Sequence, residues 1–251
     1  KQSSEACSEL IPGQMLIALP RVGQVVFLNT WHQVIQEWQA DTLGAKEPVH
    51  ALALANGNFL VADRRDKQVF ELNPEGQRVR VLEHRFQEPV ALSFYKQSNG
   101  QVRWLIVDRK GAEVLEFSSD GMLLRSLGKS EGLILKAPCD VQRTWSEGFL
   151  ITDAAASSDY ELDTAGHTTS SWGRDLGLKK PVLARRRLSG DTLIIDAGLG
   201  EIRIYGQQKQ LKKSFVYWPP QNAEAFLKRQ PAPERFLILS QNEIIALGHH
   251  Y

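Results

Sequence analysis

Apolar runs that end in aspartate recur along the chain at nearly constant spacing. The four aspartates are Asp63, Asp108, Asp153 and Asp196, and the intervals between them are 45, 45 and 43 residues. A fixed period of this size is typical of stacked copies of one supersecondary unit. Each run is short and continuously apolar, so it predicts a strand that is buried on both faces.

The copies share three further features. A Pro opens an apolar segment about ten residues before each run (Pro48, Pro89, Pro138 and Pro181), and Pro is tolerated at the start of a strand. A Gly-containing dipeptide lies between segment and run, which indicates a hairpin turn. A third, nearly alternating run comes five or six residues after each Asp, and a weaker fourth run closes the unit. Each copy is therefore predicted to be a four-stranded antiparallel meander.

Second strands that are apolar on both faces must be covered on both sides. Radial packing of meanders achieves this in a β-propeller, whereas a flat sandwich predicts cleaner alternation of apolar and polar residues. Extending the period to both ends predicts one all-β domain, a six-bladed β-propeller with blades at approximately 11–46, 47–87, 88–135, 136–179, 180–216 and 217–251. The N-terminal segment, residues 6–10, is expected to pair with the last blade and close the ring, since closure removes exposed strand edges.

The predicted blade at 47–87 resembles an NHL repeat. The resemblance rests on Gly-Asn-Phe-Leu-Val-Ala-Asp at 57–63, Val-Phe-Glu-Leu at 69–72 and Pro-Glu-Gly at 74–76, and it extends over residues 47–215. It implies a propeller architecture but no particular activity, and it implies that the four strand-end aspartates are structural. A ring of aspartates that binds a cation is the alternative. An Asp at a strand end commonly accepts backbone N–H groups of the following turn, which favours the structural interpretation.

Charge and cysteine content narrow the classes of partner. The chain carries 30 basic and 29 acidic side chains, so no net field favours nucleic acid or a membrane surface. No apolar stretch approaches the ~18 residues of a membrane span. The chain begins at Lys1, as expected after removal of a leader, and a periplasmic or extracellular location is the expectation, with a cytoplasmic one left open. A Cys7–Cys139 disulfide would require such an oxidising compartment, and two separate thiols are the alternative.

Two polar residues depart from the repeat where apolar residues are expected. The positions two after each Pro hold His50, Ala91, Asp140 and Leu183. Lyases of NHL-like fold place His and acidic residues around the channel mouth, so the resemblance makes His50 and Asp140 candidates for a general base and its partner. A hydrogen-bonded structural histidine is the alternative. The sequence shows no histidine cluster with metal-ligand spacing and no phosphate loop, so no metal and no cofactor are predicted. A small molecule in the channel is left open.

The second departure from the repeat is a local basic surface. Arg64, Arg65, Arg109 and Lys110 follow two strand-end aspartates and are expected on one face of adjacent blades. Trp218 lies beside two prolines in an irregular segment, and exposed Trp and Arg are favoured interface anchors. These residues predict a non-catalytic protein-binding or assembly module. A lyase or hydrolase at the channel mouth is the second hypothesis, and single-stranded RNA binding by the basic face is the third.

Overall fold

The computed structural model describes residues 14–31, 33–127, 132–216, 235–238 and 244–247. The chain divides into two compact units, Lys1–Leu127 and Gly128–Tyr251. Both units consist of antiparallel strands joined by short turns. Helical structure in the described residues is confined to single turns at Ala40–Leu43 (α1) and, in a 3-10 conformation, at Arg174–Leu176. No helix in these ranges is long and apolar enough to cross a membrane.

The first unit contains three meander sheets. Sheet 1 has three described strands, and sheets 2 and 3 have four each. Sheet 1 comprises β1 (Met15–Leu19), β2 (Gln24–Leu28) and β3 (Val34–Trp38). Sheet 2 comprises β4 (Pro48–Ala53), β5 (Phe59–Asp63), β6 (Gln68–Leu72) and β7 (Arg78–Val81). Sheet 3 comprises β8 (Pro89–Lys96), β9 (Val102–Asp108), β10 (Glu113–Ser118) and β11 (Leu123–Leu127).

The second unit contains two four-stranded meanders and a hairpin. Sheet 4 comprises β12 (Pro138–Arg143), β13 (Phe149–Asp153), β14 (Ser158–Leu162) and β15 (Thr168–Trp172). Sheet 5 comprises β16 (Pro181–Arg186), β17 (Thr192–Asp196), β18 (Glu201–Tyr205) and β19 (Leu211–Val216). The hairpin pairs β20 (Arg235–Ile238) with β21 (Ile244–Leu247).

The repeated prolines open the first strands of sheets 2 to 5, as the sequence predicts. Each Pro pairs with the strand-end Asp of the second strand, and a one-residue bulge follows it at once. A bulge leaves one residue unpaired and increases the local twist. The bulged residues are Val49, Val90, Cys139 and Val182.

Apolar side chains fill the space between neighbouring sheets within each unit. Second strands such as β5 and β13 are buried along their whole length, which confirms that they are covered on both faces. Trp38, Phe59 and Phe70 belong to the cluster between sheets 1 and 2. Leu60, Val69 and Ile106 belong to the cluster between sheets 2 and 3. In the second unit Trp172, Ile194 and Tyr205 lie between sheets 4 and 5. Burial of each large side chain contributes about 1.5–3 kcal/mol.

The prediction of six blades was wrong, because the described residues form five. Sheets 1 to 5 are the blades, and the predicted sixth segment, 217–251, shows only the β20–β21 hairpin among its described residues. That segment supplies two apolar runs for strands, whereas a full blade needs four. It also carries four prolines, which lack the N–H that a strand ladder requires. The predicted closing segment, residues 6–10, lies outside the described residues.

Candidate functional site

Each of the four strand-end aspartates accepts backbone N–H groups. Asp63 accepts the N–H of Lys46 (2.6 Å) and of Glu47 (3.2 Å) before the first strand. It also accepts the N–H groups of Arg65 (3.0 Å) and Asp66 (3.1 Å) in the following turn. Asp108, Asp153 and Asp196 accept equivalent bonds in their own sheets. These bonds confirm the structural role and explain why sheets 2 to 5 all have Asp at this position.

His50 and Asp140 each connect one sheet to the next within their own unit. Nδ1 of His50 accepts the backbone N–H of Leu92 in sheet 3 at 2.8 Å. Asp140 is buried and receives both terminal nitrogens of the Arg185 guanidinium, one of them at 3.2 Å, from sheet 5. Both of these polar side chains therefore form hydrogen bonds to the neighbouring sheet. His50 belongs to the first unit and Asp140 to the second.

The predicted basic residues lie in the loops after β5 and β9, and acidic side chains pair with several of them. Arg64 forms an ion pair with Glu47, and its hydrogen bond is the largest cause of the lowered pKa of that carboxyl. Glu88 faces Arg109 Nη1 at 3.7 Å and Lys110 Nζ at 3.9 Å. In both sheets the acid is the residue before the strand-opening Pro. Arg65 is exposed and has no ion pair among the described residues.

A cavity of about 670 Å³ lies between the basic loop after β5 and the segment that connects sheets 2 and 3. Leu82 and Phe86 are its most buried lining residues, at 4 % and 2 % exposure. Its lining also includes the charged side chains of Asp66, Lys67, Glu83 and Arg85, and the His84 imidazole. The cavity therefore offers both apolar and charged groups to a ligand.

The cavity lies at a connection that is shorter than its counterparts. Leu82 pairs through its N–H with Val69 O at 2.9 Å, so the connection to β8 consists of residues 83–88. The equivalent connections are 39–47, 128–137 and 173–180. Those at 39–47 and 173–180 contain the helical turns Ala40–Leu43 and Arg174–Leu176. Residues 83–88 contain none, and the space beside β6 and β7 stays open.

Sequence reasoning missed this cavity and the cluster that His84 forms with Asp108 and Glu113. The sequence does contain one signal for the cavity. The segment between Leu82 and Pro89 has fewer residues than the equivalent segments of the other copies, although its residue types are not unusual. His84 could not be assigned, because its neighbours Asp108 and Glu113 come from another sheet.

Two further predicted residues, Trp218 and Cys7, lie outside the described residues. Cys139 is the bulged residue of β12, and its thiol lies 3.5 Å from Thr152 O and 3.6 Å from Val182 O. It occupies the position of Val49 in sheet 2. The Cys7–Cys139 disulfide stays a prediction.

Known structures share the fold of this chain, although no family model and no curated protein matches its sequence. Virginiamycin B lyase from Staphylococcus aureus is similar with a TM-score of 0.62 and 13% identity, over 83% of this chain and 68% of that one. BBS1N in complex with ARL6DN gives a TM-score of 0.58 and 15% identity, over 82% and 62%. The Nidogen/Laminin complex gives a TM-score of 0.59 and 16% identity, over 82% and 81%.

These relatives are β-propellers, so the likeness supports the propeller fold. At such low identity it shows the fold alone, and a fold hosts many functions. The relatives include a lyase and propellers solved with protein partners. The NHL family itself finds no support beyond the residues that resemble its repeat.

Proposed function

We propose that this propeller is a non-catalytic protein-binding or assembly module and that the cavity at residues 83–87 is its binding site. The observation that carries the proposal is the position of the cavity: it opens at the one shortened connection among the described sheets, directly beside a basic loop. Loops on a rigid scaffold commonly provide binding residues. The partner is an extended protein segment with an apolar anchor and flanking acidic residues.

Apolar and charged parts of the site favour this kind of partner. Val81 is 41 % exposed and gives the lining an apolar surface, beside the buried Leu82 and Phe86, onto which one aliphatic or aromatic side chain can pack. Lys67 and Arg85 are exposed lining residues, and no ion pair engages them within the described residues. Basic side chains without acidic partners attract acidic segments and increase the rate of association, most strongly at low salt.

A lyase at the channel mouth is the second function that the sequence suggested, and a lyase is among the structural relatives. Its candidate residues His50 and Asp140 are engaged in bonds between sheets, which makes them structural components first. RNA binding by the basic face has less support, since Glu47 and Glu88 offset part of the positive charge. Both considerations favour the protein-binding proposal.

A photo-crosslinking amino acid at Gln87 tests the site in extracts of the native source. Gln87 is an exposed residue that lines the cavity. Its backbone N–H donates to Asp108, and a change of its side chain leaves that bond in place. The same substitution at exposed Lys96, in β8, is the matched control. We expect a defined cross-linked protein from Gln87 and none from Lys96.

Affinity measurements with the identified protein then test the chemistry. Lys67→Glu and Arg85→Glu should each weaken binding about tenfold, equivalent to about 1.4 kcal/mol, while Lys96→Glu should leave it unchanged. Equal affinity of all three variants for that partner would rule out the cavity as the binding site.

A further inference from the structure

Three potential metal ligands meet beside the cavity in the first unit. The ligand atoms of His84, Asp108 and Glu113 all lie within 4.8 Å of one another. His84 comes from the short connection between sheets 2 and 3, Asp108 ends β9, and Glu113 begins β10. Asp108 is fully buried, and His84 and Glu113 are half-buried.

An equivalent Asp–Glu pair in sheet 5 shows what is unusual here. Asp108 faces Glu113 across β9 and β10, as Asp196 faces Glu201 across β17 and β18. Both glutamates accept a serine hydroxyl from the fourth strand, Ser126 or Ser214.

The two pairs differ in their positive charge. Arg203 Nε forms an ion pair with Glu201 at 2.7 Å, but Leu115 occupies the equivalent position in sheet 3. Two carboxylates directly opposite each other are destabilising, and within the described residues no Lys or Arg forms an ion pair with either Asp108 or Glu113. Sheet 3 therefore lacks the arginine of sheet 5, and the His84 imidazole lies beside its two carboxylates instead.

The imidazole is oriented by its surroundings and accessible from the cavity. The His84 ring packs edge-on against Phe86 and Phe117, with ring centroids 4.7 and 6.1 Å away. His84 also lines the cavity, which gives an ion a path from solvent. His84 has no counterpart in the other connections, since none of residues 39–47, 132–137 and 173–180 is a histidine.

Asp108 retains capacity for a cation although it binds backbone. Its Oδ2 accepts the N–H of Gln87, and its Oδ1 accepts those of Glu88 and Gly111. A carboxylate has about four acceptor sites, so one site remains on Oδ2.

We propose that His84, Asp108 and Glu113 form a site for a divalent transition-metal ion of the zinc class. One imidazole nitrogen with two carboxylates suits Zn²⁺ or a similar ion better than Mg²⁺ or Ca²⁺, which prefer oxygen ligands. Binding would draw the ligand atoms, which lie within 4.8 Å of one another, to the ~2.0–2.2 Å bond lengths of zinc by rotation of the His84 and Glu113 side chains. This site does not depend on the proposed protein partner.

Zinc binding by the purified full chain tests the site. Isothermal titration calorimetry with Zn²⁺ should show one zinc ion bound per wild-type chain. His84→Gln should no longer bind this ion, and Glu113→Gln should bind it at least tenfold more weakly. His167→Gln is the matched control, because His167 is an exposed histidine of the second unit beside Asp163. The adjacent histidines 249 and 250 contribute the same background to every variant.

Co²⁺ substitution provides a signature that a loss of packing would not produce. The visible absorption of bound Co²⁺ should be present in the wild type and in His167→Gln and absent in His84→Gln. Mg²⁺ should not compete at a hundredfold excess. Wild-type zinc affinity in Glu113→Gln, or in a folded His84→Gln, would overturn the proposal; if His84→Gln does not fold, Glu113→Gln alone decides.

Discussion

Buried carboxylates show how single residues depend on the partners that the fold supplies. Glu71 is 2 % exposed and accepts Asn56 Nδ2 at 3.0 Å, Asn58 Nδ2 at 2.7 Å and the Arg80 guanidinium. Burial alone would raise the pKa of Glu71, but these hydrogen bonds outweigh it and hold the pKa below its usual value. Arg80 in turn donates to Asp120 O and Ser119 O in the next sheet, so this carboxylate links two sheets through one arginine.

Replacing Glu71 by Ala should be strongly destabilising. The change leaves the half-buried Arg80 without its carboxylate and the two asparagines without their acceptor, and breaking a buried ion pair costs about 3–5 kcal/mol. Urea unfolding of Glu71→Ala should show a loss of about 3 kcal/mol. Glu75→Ala, in the exposed turn of the same sheet, should change the unfolding free energy by less than about 0.5 kcal/mol. A similar loss in both variants would contradict the assigned role of Glu71.

Among the secondary-structure elements, the turn of one sheet packs against the neighbouring sheet. The turn between β6 and β7 accepts the Trp38 indole N–H at Pro74 O, at 3.0 Å. Gly76 in this turn has a φ of +85°, and a Cβ added to it would lie 2.6 Å from Trp38 Cδ1. Gly is therefore required here for two reasons: the backbone conformation and the close approach of an adjacent blade.

The pair Gly76→Ala and Gly57→Ala separates these two requirements. Both glycines have positive φ, at +85° and +83°, but a Cβ at Gly57 would have no neighbour within 4 Å. Both variants should lose about 1–2 kcal/mol to backbone strain. Gly76→Ala should lose a further ~1–3 kcal/mol to overpacking against Trp38. Thermal and urea unfolding measure both losses. Equal destabilisation of the two variants would show that Trp38 can move away from the added Cβ without loss of stability.

For the molecule as a whole, one buried acid in the second unit should dominate the pH dependence of stability. Asp159 in β14 occupies the position held by Val69 in sheet 2 and Val114 in sheet 3. It is fully buried, and the Thr152 hydroxyl lies near its carboxylate without forming a well-aligned hydrogen bond. Burial raises the pKa of Asp159 to about 8; the Thr152 hydroxyl offsets part of this effect, and the charges of Asp140, Asp196 and Asp153 add to it.

The unfolding free energy should therefore decrease as the pH rises from about 4 to about 8. The native state holds the proton to higher pH than the unfolded chain, so the native state binds more protons in this window, and stability falls by up to about 1.4 kcal/mol per pH unit. Asp159→Val should remove this slope and stabilise the protein at pH 8. Asp175→Asn, at an exposed acid of the same unit, should retain it. A wild-type profile without this decrease would contradict the raised pKa.

Much of the fold follows from local patterns. The Asp period, the opening prolines and the Gly turns predict the strands of sheets 2 to 5, since each feature meets a requirement of the backbone within one blade. The Asp supplies an acceptor at the strand end, the Pro is tolerated where no donor is needed, and the Gly permits a positive φ in the turn. The number of blades could not be derived in this way. The period continued into residues 217–251, but a period does not show whether a segment has enough strands to form a blade.

The sequence by itself determined the repeat, the four-stranded meander and the structural role of the strand-end aspartates, because these depend on contacts within about 45 residues. Only the tertiary structure decided the number of blades, the sheet-to-sheet bonds of His50 and Asp140, the cavity at the short connection and the meeting of His84 with Asp108 and Glu113. Those features arise where one blade packs on the next. The chemistry there depends on distances between side chains of different sheets, which no spacing along the chain specifies.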